Sequence, residues 1–178
     1  NSVNGASHRF VGTGTNEVIT VADFAKARFA LKKANVPDRN LVAIVDPSVE
    51  FEMNTITNLT NVSNNPRWEG VITSGIASGR SFLANIYGFD VYTSNYLADA
   101  NEQIDSAGAT TAAGKANMFF SADSSVLPFV GAWRQMPQVD SEYNKDKQRE
   151  EYVTTARYGV ALYRPENLVC VLTDTDQV

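Results

Sequence analysis

The first clear period in the chain lies between residues 20 and 35. Phe24, Ala27, Leu31 and Ala34 recur at i, i+3, i+7 and i+10, one face of a helix. Thr20 supplies an N-cap, with Asp23 three residues on in a capping-box position. Asp23 in the first turn and Lys32 and Lys33 in the last suit the helix dipole. Asn35-Val36-Pro37-Asp38 stops the helix. The run Leu41–Val45 is short, continuous and rich in β-branched residues, which predicts a buried strand. Asp46-Pro47 then reads as N-cap and first helical residue. Val49, Met53 and Ile56 continue one face of this second helix, with Phe51 off it, and the polar stretch Asn58–Pro66 ends it.

The pattern weakens around Trp68, where Gly70, Gly75 and Gly79 break any long helix. Leu83–Ile86 and Phe89–Tyr92 predict two short strands about Gly88. Residues 98–116 are small and polar and predict a mobile surface loop, Asp99–Lys115. Met118–Phe120 returns to the core. Pro128 and Gly131 within Val126–Met136 predict a short helix or packed turn, and the mixed charges of Ser141–Glu151 a solvated excursion. Tyr152, Thr154, Ala156, Tyr158, Val160 and Leu162 then alternate with the residues between them, the period of a long strand or hairpin arm. Arg164–Asn167 is a turn and Leu168–Leu172 a last buried strand. The pattern as a whole is mixed α and β.

Composition narrows the chemistry. With 178 residues the chain suits one domain, or one large domain with an appended loop, and can bury a real core. Fifteen Lys+Arg against twenty Asp+Glu give a net charge of −5, which disfavours a generally basic nucleic-acid binder. The single cysteine, Cys170, excludes an intrachain disulfide, a Cys₄ zinc site and a CxxC pair. Within Leu168–Leu172 it reads as a small buried hydrophobe. The single histidine, His8, lies in a Gly/Ser/Asn-rich start and is expected to be solvated. No apolar run reaches the ~20 residues of a membrane span. Residues 1–7 lack the charged and apolar regions of a signal peptide.

No motif supplies a catalytic apparatus. Gly12-Thr13-Gly14 lacks the third glycine of a dinucleotide loop. Gly75–Ser81 echoes a phosphate loop but carries Arg80 where the lysine belongs, and its glycines are too close. Asp38, Asp46, Glu50 and Glu52 sit where capping alone places acids, and no cluster has calcium-loop spacing. The triplets at Asn58 and Asn61 have the glycosylation pattern but read as ordinary loop residues. The expectation is no catalytic residue, no cofactor and no metal. The first helix is basic on an acidic protein, with Lys26, Arg28, Lys32 and Lys33 against Asp23. A solvated face explains that; a surface meeting acidic partners or phosphates is the functional alternative.

The order of segments carries a resemblance. Thr20–Arg28, leading through Leu31 to Ala34-Asn35-Val36-Pro37, then Leu41–Pro47, resembles the spine helix and following strand-Pro-helix of tailed-bacteriophage major capsid proteins of the Hong Kong 97 type. Ile86–Asn95 is similar to the Gly-aromatic-X-Val … Ser-Asn segment of these coats. Arg157–Glu166 with Val169–Val171 is similar to their closing strand pair. These segments span roughly residues 17–174 in the family's order.

The resemblance implies an α+β fold. Residues 20–36 would be the spine helix of a peripheral domain, 37–135 an axial domain, and 136–178 the return strands of the peripheral domain plus the C-terminal strand. Residues 1–19 would be the end of the E-loop and a lead-in. Only Arg9–Gly14 fits that hairpin, so the N-terminal arm and most of the E-loop are expected to be absent from this chain. The implied function is structural, not enzymatic: hexamers and pentamers forming an icosahedral shell around packaged double-stranded DNA. Lys26, Arg28, Lys32 and Lys33 would be assembly or inner-surface residues touching that DNA non-specifically. Scaffold, portal and decoration proteins would be further partners, with no membrane, and assembly in the host cytoplasm would lead to the virion. A decoration module and a carboxylate-based enzyme are the competing classes.

Overall fold

The structure, a computed structural model, describes residues 2–55, 82–100, 102–104, 110–111 and 114–174. The polar stretch after residue 58, the glycines around Trp68, the phosphate-loop echo, both glycosylation triplets and Ile56 lie outside them. Contacts divide the chain into two units: residues 1–127 with 166–178, and Pro128–Pro165.

The larger unit is built on a mixed six-stranded sheet. Its strands in chain order are β3 (Arg9–Val11), β4 (Leu41–Val45), β5 (Phe82–Ile86), β6 (Phe89–Thr93), β9 (Lys115–Ser121) and β12 (Leu168–Thr173). They lie in the order β3-β12-β9-β4-β6-β5. β12 runs parallel to β3 and antiparallel to β9, and β4 parallel to β6. Before the sheet, β1 (Ser2–Val3) and β2 (Ala6–Ser7) make a two-stranded ladder. Between β6 and β9, β7 (Glu102–Gln103) pairs with β8 (Thr110–Thr111).

Helix α1 (Val21–Lys33) forms where the periodicity puts it, and buries Phe24, Ala27, Ala30 and Leu31. The Asp23 carboxylate accepts the backbone N–H groups of Thr20 and Thr13 at 2.8 and 3.0 Å, and the Thr20 hydroxyl at 2.9 Å. Helix α2 (Pro47–Thr55) starts at Asp46, whose carboxylate takes the Ser48 N–H and hydroxyl at 3.0 and 2.8 Å. Val49 and Met53 are buried and Phe51 is exposed, as the spacing predicts.

One core joins both helices to the sheet. Leu41, Ala43, Val45, Phe89, Val91, Phe119, Val169 and Val171 are all buried in it with Phe24, Leu31, Val49 and Met53. The Phe119 ring meets Phe24 and Phe89 edge-on, centroids 5.2 and 5.3 Å apart. Truncating such a ring to alanine costs about 3–5 kcal/mol.

The smaller unit is a long antiparallel hairpin, β10 (Phe129–Asn144) with β11 (Arg149–Leu162). The Pro128 carbonyl closes its base by accepting the N–H groups of Tyr163 and Arg164 at 2.8 and 3.1 Å.

Several expectations are corrected here. Val126–Met136 is no helix: from Phe129 it is strand, because the β10 ladder is irregular between Trp133 and Gln138 and there absorbs Pro137, which has no N–H to give. Most of Ser141–Glu151 belongs to the hairpin strands, where Glu142, Arg149 and Glu151 share one face and Glu150 lies on the other. His8 is buried, not solvated, with Nδ1 3.1 Å from the Ala6 carbonyl, because the short β1–β2 and β3 strands fold the start onto the sheet. The described parts of Asp99–Lys115 are tethered: Asp99 bridges Lys115, β7 pairs with β8, and Ala100 and Ile104 are buried. Arg9–Val11 is an edge strand on β12.

Candidate assembly surface

The basic side chains of α1 do not form one stripe. Arg28 donates from Nε to Asp38 Oδ1 at 3.0 Å, from Nη2 to Asp38 Oδ2, and from Nη1 to the Tyr87 carbonyl at 2.9 Å. The hydrogen bond to Asp38 raises the Arg28 pKa, and the Arg28 guanidinium holds the Asp38 carboxyl below its ordinary value. Lys32 Nζ adds a second cation 3.1 Å from Asp38 Oδ2. Arg28 thus ties the helix to the turn between β5 and β6. That turn has Tyr87 at φ 50 and Gly88 at φ 85, the left-handed pair of a two-residue hairpin.

Lys26 and Lys33 are placed differently. Lys26 Nζ sits 4.0 Å over the Phe10 ring centroid, and Lys33 Nζ 5.6 Å over that of Phe29. Among the described residues neither has a carboxylate within ion-pair distance.

Reactive chemistry is sparse. Among the described residues no group of three His, Cys, Asp or Glu can hold a metal. No described helix is long and apolar enough to cross a membrane. Burial pushes the Cys170 thiol up, away from a nucleophilic thiolate. In the hollow between Ser2, Ser7 and Arg9, the arginine is already paired with Glu102 at 2.7 Å.

The hairpin offers a different kind of surface, and its ladder register sorts the side chains. Trp133 faces Tyr158, Val139 faces Thr154, and Tyr143 faces Glu150. With regular alternation along β11, Tyr152, Tyr158, Val160 and Leu162 fall on that same face. The Trp133 and Tyr158 rings lie 5.1 Å apart. The other face carries Gln138, Asp140, Glu142, Arg149, Glu151 and Arg157. The period-two run 152–162 announces half of this ribbon; Gly131 and Pro137 hide the other half.

The described residues thus present a sheet–helix unit and a long two-stranded ribbon. The sequence matches the family model for phage capsid protein over residues 1–171. The chain belongs to the phage capsid protein family. No curated protein matches the sequence. Among solved structures this capsid protein is similar to one from Mycobacterium phage Che8, at 18% identity and a TM-score of 0.62, over 93% of this chain and 53% of that one. It is also similar to the mature capsid of bacteriophage PhiM1, at 12% identity and a TM-score of 0.61, over 96% and 52%. A third similarity is to an encapsulin from Synechococcus elongatus, at 13% identity and a TM-score of 0.56, over 99% and 56%. The capsid chain thus spans about half the length of these structures. The family and the α+β fold implied by the resemblance to tailed-phage coats are borne out.

Proposed function

We propose that this chain is a shell-forming coat subunit of the Hong Kong 97 type. It associates with copies of itself, as hexamers and pentamers, into an icosahedral shell around packaged double-stranded DNA. The observation that carries the reading is the family match over residues 1–171, with a capsid fold over more than nine-tenths of the chain in two phage relatives. Shell assembly requires repeated complementary surfaces and no reactive residue. The subunit is accordingly structural, not enzymatic, and belongs to the virion, formed in the host cytoplasm.

In this reading the sheet–helix unit is the axial domain and the hairpin is the peripheral return. Helix α1 goes with the sheet on which it packs, and Lys26 and Lys33 are the cations left to meet DNA or acidic neighbours. Scaffold, portal and decoration proteins would be partners of the assembled shell.

The test is expression of the chain followed by electron microscopy and sedimentation. Shells, or rings of five and six subunits, are expected. A monomer that binds preformed shells without building any would make it a decoration module instead.

A further inference from the structure

Asn4-Gly5 is the one Asn-Gly pair in the sequence. It forms the two-residue turn of the β1–β2 hairpin, between the paired residues Val3 and Ala6. Asn4 at φ 48 and Gly5 at φ 80 are the left-handed pair that a type I′ turn requires. Both residues are exposed, and Gly5 lies outside the ladder register. The Asn4 amide nitrogen donates to the Lys33 carbonyl at 2.7 Å, from 29 positions away in sequence. Lys33 is the last residue of α1, and the residue four further on, Pro37, has no N–H to give that carbonyl. Asn4 therefore caps the end of α1 from outside the helix.

The same nitrogen is the leaving group of a reaction open to this pair. The Gly5 main-chain nitrogen, once base has taken its proton, attacks Asn4 Cγ. The new C–N bond closes a five-membered imide as the Cγ–Nδ2 bond breaks, and Nδ2 leaves as ammonia with a proton from solvent. Water then cleaves either C–N bond of the imide. Cleavage at Cγ leaves aspartate; cleavage at the main-chain carbonyl leaves isoaspartate, with the chain running through the side-chain carbon. Nothing is oxidised or reduced. A side chain on the following residue would shield the attacking nitrogen, but Gly5 has none, and a Cβ built there would meet nothing within 4 Å.

We propose that Asn4 is a site of spontaneous deamidation, and that its conversion releases the β1–β2 hairpin from the end of α1. Both products replace the amide donor by a carboxylate, which cannot donate to the Lys33 carbonyl and is repelled by the negative end of the helix. Isoaspartate also adds a methylene to the main chain inside a two-residue turn whose length sets the ladder register. The change runs one way, because the ammonia is lost.

The test ages the whole chain in mildly alkaline buffer. Peptide mapping by mass spectrometry is expected to find aspartate and isoaspartate at residue 4 ahead of every other asparagine, and faster as pH rises. Isoaspartyl methyltransferase should label the same peptide. Asn4→Gln, whose longer side chain closes a six-membered ring poorly, should stay unlabelled there. Hydrogen exchange at residues 2–7 should be about tenfold faster in the aged chain than in the fresh one, and Asn4→Asp should show the faster exchange from the start. An Asn4 that survives in the folded chain while it converts in urea overturns the inference. So does exchange that stays unchanged in the aged chain or in Asn4→Asp, the outcome if the new carboxylate pairs with the Lys33 ammonium and keeps the hairpin docked. The ageing readouts are made on the wild type and stand apart from the shell reading.

Discussion

The side-chain carbonyl of Asn117 accepts the backbone N–H of Asp46 at 2.9 Å, inside the core. The Asn117 amide nitrogen meanwhile donates to the Val171 carbonyl at 3.1 Å and to the Thr173 hydroxyl at 2.8 Å. One buried amide thus joins β9 to β12 and to the start of α2. All three partners lose their bond when it goes, and buried unsatisfied groups cost about 1–3 kcal/mol each. Asn117→Ala is expected to lower stability by about 2–4 kcal/mol, with partial relaxation limiting the sum. Urea unfolding followed by circular dichroism measures it; a loss under 1 kcal/mol would show that the network is dispensable.

Gly88 is a backbone position. At φ 85 an L side chain is strained, and an added Cβ would lie 3.6 Å from the Arg28 guanidinium, an ordinary contact. The cost of Gly88→Val is therefore conformational, about 1–2 kcal/mol or more for a β-branched residue. Gly88→Asn should retain most of the stability, since asparagine tolerates the left-handed region. Equal melting temperatures for the valine variant and the parent would contradict this.

Asp38 gives a prediction in pH. Its folded-state pKa is depressed, chiefly by the Arg28 hydrogen bond. A depressed carboxylate contributes stability above its unfolded pKa of about 3.9, which is lost as pH falls through the lower folded value. The difference between the parent and Asp38→Asn should be present at neutral pH and vanish in strong acid. Half-exposure keeps it small, as for surface ion pairs. A gap unchanged from neutral pH into strong acid would assign the effect to shape and not charge.

Neutralising Lys32 and Lys33 together should leave the fold intact. Lys32 forfeits only a surface ion pair, worth about 0–1 kcal/mol. If Lys33 meets DNA or an acidic neighbour, shell yield or DNA content falls, and the deficit shrinks at high salt, where the Debye length drops to about 3 Å. Equal melting temperature, yield and nucleic-acid content would leave only a solvated face.

Local chemistry made much of the fold legible. Thr20 and Asp23 marked the start of α1, Asp46 that of α2, and Tyr87-Gly88 lay in the turn between β5 and β6. What was not legible depended on tertiary placement. His8 looked terminal and wet, but β3 pairs with β12 and brings it inside. The β10 strand was hidden because Gly131 and Pro137 oppose strand formation, and its irregular ladder accommodates the proline. The partners of the basic residues of α1 were not legible either, because Asp38, just past the helix end, returns to take Arg28 and Lys32.

Strand β12 lies between β3 and β9, yet it follows both in sequence and follows the long hairpin too. During synthesis, β3, β4, β6 and β9 leave the ribosome with the sheet still lacking an interior strand. Strand β3 has no ladder partner until Leu168–Thr173 emerges; beside it the Gly12 N–H bonds the Leu172 carbonyl and the His8 carbonyl takes the Cys170 N–H. Pairing over so long a separation closes late and slowly. The core of the sheet is therefore completed only once Leu168–Thr173 has been made.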